Sequence, residues 1–241
     1  MQRGPPEERP AAQTEYGEAW VYESIVGALP GIELTDGQAI ALQLGLFQLG
    51  VFVFAWVYDL WGAVLPGTIA VAVAAVGSVV MLRMGRTTRR LDLPEAYGRM
   101  LFGSSIEVVL GVLAFVALVT HLFVFEPRQE ATPLVESLFG TEPPIVVVYL
   151  MLLVLWDLCY RIGTSWWAAV VAAWRSRRYA FDESTATALR RVDAWNVLFG
   201  LSQLALLPFL TDRPVLLAAV GGHVVAVSVV SAVAAASLRV R

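Results

Sequence analysis

Apolar residues along this chain fall into six long blocks separated by short polar segments. A helix needs about 20 apolar residues to cross the ~30 Å hydrocarbon core of a bilayer, and only helices or closed barrels satisfy their backbone there, so each block predicts a membrane-spanning helix. The blocks lie at about 38–58, 62–84, 103–124, 145–167, 194–210 and 214–238. The expected fold is therefore all-α, a polytopic bundle of six transmembrane helices over 38–241. Thr35 followed by Gln38 is a capping-box pattern that starts the first span, and Trp56, Tyr58 and Trp61 form an aromatic belt where it leaves the membrane. In the second span Ala70, Ala74 and Ser78 recur four apart, a stripe that lets another helix approach closely.

The N-terminal 37 residues differ in kind. Residues 1–13 are Pro-rich and charged and predict a disordered tail. Within 14–37, Tyr16, Trp20, Val21, Ile25, Ala28 and Leu29 recur at helical spacing before Pro30, as in a helix lying in the membrane interface or capping the bundle. Between the spans, Arg83 to Arg99 predicts a loop with a short amphipathic helix near Pro94 and Tyr97, and Arg178 to Asp193 a loop before the fifth span.

Composition agrees with a membrane solvent: 58% of residues are hydrophobic, against roughly 45–50% in soluble domains, and the mean hydropathy is +0.67. All 17 basic residues are Arg, against 20 acids. That usage resembles membrane proteins of halophilic archaea; the resemblance is one of composition, rests on no motif and implies no activity. The lone Cys159 rules out an internal disulfide.

Six spans alternate the loops between two sides, and Arg distribution then tests the assignment. Fourteen Arg fall on the side of both termini, two, Arg128 and Arg213, on the other, and Arg161 within the membrane. The expected topology is a cell-membrane protein with both termini cytoplasmic. Its partners are the bilayer and anionic headgroups, the latter met by Arg86, Arg89, Arg90, Arg175, Arg177 and Arg178; a homo-oligomer is open to it and nucleic acid is not indicated.

Candidate chemistry centres on the fourth span. Asp157 and Arg161 lie one turn apart about 18 and 24 Å from Ile145, so they share a face and can pair. Intramembrane charge also marks ion and solute pathways. The same ruler sets Gln48, Gln203 and His223 level with Asp157, which makes a candidate polar layer. Glu107 fits a capping box from Ser104 or, at its depth, a cross-helix pair with Arg161. Pro66-Gly67 and Pro208 interrupt spans two and five at matched places, a pattern known from carriers, but the two halves share no residue-level repeat and the plainer expectation is a pair of helix-end kinks. Motifs for hydrolases, zinc sites and phosphate-cradling loops are absent, so no metal or other cofactor is expected and the sequence leans away from an enzyme, although membrane-embedded acids leave general acid–base work open. Two functional classes follow: a small permease, channel or ion-coupled carrier using Asp157, or a non-catalytic accessory or scaffold protein.

Overall fold

The computed structural model describes Trp20, residues 35–129 and residues 131–241. The tail expected at 1–13 and the amphipathic segment at 14–37 lie outside the described residues apart from Trp20 and the residues from Thr35 onward. Eight α-helices follow among the described residues: α1 Asp36–Tyr58, α2 Val64–Arg89, α3 Glu95–Phe102, α4 Ile106–Thr120, α5 Leu134–Phe139, α6 Ile145–Arg178, α7 Glu183–Ser202 and α8 Pro214–Ala236. Six helical segments, built on α1, α2, α4, α6, α7 and α8, are long and apolar enough to span a membrane. The chain is an all-α polytopic bundle.

Local chemistry fixes most of the boundaries. The Thr35–Gln38 capping box starts α1, with Thr35 Oγ1 accepting from Gln38 N at 3.3 Å and Gln38 Oε1 from Thr35 N at 2.9 Å. Asp59, at φ 57°, ends α1 in the left-handed region, which short polar side chains tolerate, and turns the chain into the 3₁₀ segment Trp61–Ala63. Pro66 sits in the first turn of α2, where its missing N–H costs no hydrogen bond. It therefore does not break the span. Pro208 lies within the 3₁₀ stretch Gln203–Phe209 that continues α7, so only one of the two matched interruptions exists.

Two expected loops and caps are corrected. The fifth helix begins at Glu183, eleven residues before the expected span, because Asp182 caps it through Thr185 N at 2.9 Å and Ala186, Leu189 and Val192 bury one face. α3 forms as expected, but Pro94 caps it without a side-chain bond. Beyond Arg178 the chain also makes a two-residue parallel ladder, Ala180–Phe181 with Arg239–Val240, which ties the C-terminus to the α6–α7 connection.

α6 is the longest helix and packs against α4, α8, α2 and α7. In lipid the hydrophobic effect does not drive helices together, so close packing and interhelical hydrogen bonds carry association. The tightest crossing is that of α4 and α6, where a Cβ on Gly163 would lie 2.5 Å from Gly111 N and one on Gly111 would lie 2.9 Å from Tyr160 Cα. The small-residue stripe on α2 is buried at Ala74 and Ser78, as the spacing implied, and beside it a Cβ on Gly77 would meet Arg161 Cδ at 2.5 Å. α1 is the most peripheral span, with Leu42, Leu46, Leu49, Trp56 and Val57 exposed.

Candidate functional site

The inner face of α6 carries Asp157, Arg161, Thr164, Ser165, Arg175 and Ser176, all buried. Asp157 and Arg161 form the expected pair, with Arg161 Nη2 donating to Asp157 Oδ1 at 2.6 Å and Oδ2 at 2.8 Å, and Nε to Oδ2 at 3.2 Å. Arg161 is fully buried, with its side chain packed against Gly77 of α2. A second donor to the carboxylate comes from α1: Gln43 Nε2 lies 3.1 Å from Asp157 Oδ1. The expected donor, Gln48, instead bonds Thr68 on α2 at 2.9 Å and takes no part in a layer with Asp157.

Gln203 and His223 do meet, Nε2 to Nε2 at 3.3 Å, with the imidazole 5.8 Å from the Trp166 ring. No hydrogen bond among the described residues links them to Asp157 and Arg161. The expected polar layer is thus resolved into separate pairs. Glu107 is fully buried where α4 crosses α6, and neither carboxylate oxygen has a hydrogen-bond partner among the described residues. Its capping box does not form, because Ser105 adopts φ 53° and makes no side-chain cap bond, and it does not pair with Arg161.

Arg175 is the largest departure. It was expected among headgroups and is fully buried, with Nη2 2.6 Å from Asp193 Oδ2 on α7, Nη1 3.3 Å from Tyr97 Oη on α3 and its guanidinium 5.7 Å from the Tyr97 ring. Fourteen residues separate it from Arg161, and two heptads drift a straight helix by only about 40°, so Arg175 returns to the inner face while Arg177 and Arg178 do not. Those two, with Arg86, Arg89 and Arg90, are exposed at the same end of the bundle. Arg89 lies 5.6 Å from the Phe102 ring and Arg83 4.9 Å from that of Trp195.

A hydrogen-bonded knot that the sequence reading missed joins three spans. Ser165 Oγ donates to Asn196 Oδ1 at 2.8 Å, while Asn196 Nδ2 donates to Ser165 O and to Ser231 Oγ, each at 3.1 Å. Ser176 Oγ reaches Ala234 O of α8 at 2.7 Å. Ser165 and Ser176 lie eleven residues, about three turns, apart on one face of α6, but nothing in the sequence pairs that face with Asn196 of α7 or Ser231 of α8. At the opposite, Arg-poor end, His121 Nε2 lies 3.2 Å from Glu126 Oε1, and Glu126 Oε2 accepts from Leu134 N at 2.7 Å, anchoring α5.

No group of three or more His, Cys, Asp or Glu side chains able to hold a metal occurs among the described residues. Six apolar spans, with charged and amide groups paired off between them, define a multi-pass membrane protein. The chain belongs to a family of unknown function, DUF7530, whose model matches residues 15–234. No curated protein and no solved structure matched it.

Proposed function

We propose that this is a non-catalytic accessory or scaffold protein of the cell membrane, in which the intramembrane charges hold the bundle together. The supporting observation is that Asp157 and Arg161 are buried and bonded to one another, that Asp157 also accepts from Gln43, and that neither lines the large cavity of the bundle. A carrier or channel using Asp157 needs that carboxylate open to a hydrated path. A bidentate pair in a packed interior suits a structural role instead, because each partner offsets the desolvation of the other.

The Arg asymmetry supports an orientation with both termini in the cytoplasm. On that reading Arg86, Arg89, Arg90, Arg177 and Arg178 meet anionic headgroups of the inner leaflet, at about 1 kcal/mol each. An excess of acids over an all-Arg set of bases fits a membrane facing high salt. The test is a flux and current assay on proteoliposomes across pH with monovalent ions and small polar solutes. The reading expects no protein-dependent signal. A current or uptake lost in Asp157→Asn would replace it with the carrier reading.

A further inference from the structure

A cavity of about 540 Å³ opens in the Arg-poor half of the bundle, within the roughly 300–1,000 Å³ range of ligand sites. Its walls come from α1, α2, α4, α5, α6 and α8 and are apolar except for Ser137, Asp212 and Arg213 at one end. Along α6 it runs from Val147 to Leu158, eleven residues or about 16 Å of helix, against about 15 Å for the hydrocarbon of one leaflet. At its edge Gly62 and Leu65 are exposed, Leu65 by 61%, so the space opens beside the α1–α2 turn. Arg213 lies at the polar end, half-buried, and its side chain has no hydrogen-bond or ion-pair partner among the described residues.

We infer that this cavity holds one hydrocarbon chain of a phosphate-headed polar lipid from the Arg-poor leaflet, with the phosphate at Arg213. Water does not fill so apolar a space, and left empty it forfeits the contacts of its whole lining. The bilayer offers a filler of the right length, and the length match and the unpaired guanidinium mark its two ends. A guanidinium binds phosphate through two parallel hydrogen bonds. Asp212, exposed beside Arg213, adds an acceptor, so the head that fits both is a phosphate carrying a hydroxyl, as phosphatidylglycerol does. The inference does not depend on the accessory reading, since none of Asp157, Arg161, Gln203 and His223 lines the cavity.

The test uses the full chain in phosphatidylcholine nanodiscs doped with phosphatidylglycerol bearing a photoactivatable diazirine near one chain end. Irradiation is expected to label the deep end of the cavity, α6 between Val154 and Leu158. Unlabelled phosphatidylglycerol should suppress those adducts but not adducts at the outward residues Val109 and Leu113 of α4, which are exposed. Arg213→Gln should raise the phosphatidylglycerol needed for suppression about tenfold, the loss of one charge-assisted contact. Val154→Phe with Leu216→Phe, which fills the cavity, should abolish the inner adducts while the outward ones persist and report a folded bundle. Wild-type label confined to outward residues would overturn the inference without recourse to any variant. Suppression of the inner adducts equally well by hexadecane, with no effect of Arg213→Gln, would overturn its lipid-head part.

Discussion

At the scale of single residues, one helix carries arginines of opposite roles within four positions. Arg175 is enclosed by Asp193 and Tyr97, whereas Arg177 and Arg178 are exposed. Removing one partner of a buried pair strands the other charge at a cost of about 3–5 kcal/mol, so Arg175→Gln should sharply lower the melting temperature in detergent. Arg177→Gln and Arg178→Gln should each stay within about 0.5 kcal/mol of wild type by the same measurement. Equal losses at all three positions would remove the distinction. Asn196 is a comparable case in neutral form. Asn196→Leu leaves Ser165 and Ser231 hydroxyls without their partner, and the cost expected is about 1–3 kcal/mol in chemical denaturation.

At the scale of elements, α7 and the α4–α6 crossing are the informative parts. Asp182 accepts from Ser184 Oγ and from Thr185 N at the start of α7, and these bonds hold its carboxyl well below the usual carboxylate range, the Ser184 bond foremost. A carboxylate so depressed adds stability above its ordinary range, and that stability is lost as pH falls below it. The difference in α7 protection between wild type and Asp182→Ala, followed by hydrogen exchange, should therefore be present at neutral pH and shrink in acid. At the crossing, a side chain on Gly163 would collide with the α4 backbone, and Gly163→Leu should separate the helices and lower thermal stability. A Gly163→Leu protein that melts like wild type would show that the crossing is not so close.

These elements also show what the sequence could disclose. Hydropathy found every span, because twenty apolar residues have few other uses. It missed the first eleven residues of α7, since Arg190, Arg191 and the acids there lower hydropathy even as Ala186, Leu189 and Val192 bury one stripe. Depth arithmetic put Gln48 level with Asp157, yet Gln43 makes the bond: the two lie five residues, about 7.5 Å of rise, apart and on different sides of α1, so a ruler laid from the span ends missed both level and face. His223 and Gln203 were placed at one level and do meet, because their helices are neighbours. Heptad arithmetic from Arg161 would have turned Arg175 inward. The Ser165–Asn196–Ser231 knot depends on three helices meeting at one height, which periodicity within a single helix does not encode.

The whole molecule is a bundle whose buried charged and amide groups pair off between helices, Arg-rich at one end and apolar-hollow at the other. A reporter fused after Arg241 should be cytoplasmic, and an external reporter would reverse the orientation. The central claim is that charge in this bundle is structural, and the double-mutant cycle on Asp157 and Arg161 tests it most directly. Thermal and denaturant stability are compared for Asp157→Asn, Arg161→Gln and the double variant. Each single change should cost about 3–5 kcal/mol and the double much less than their sum, because a stranded buried charge is worse than none. Strictly additive losses would contradict the account.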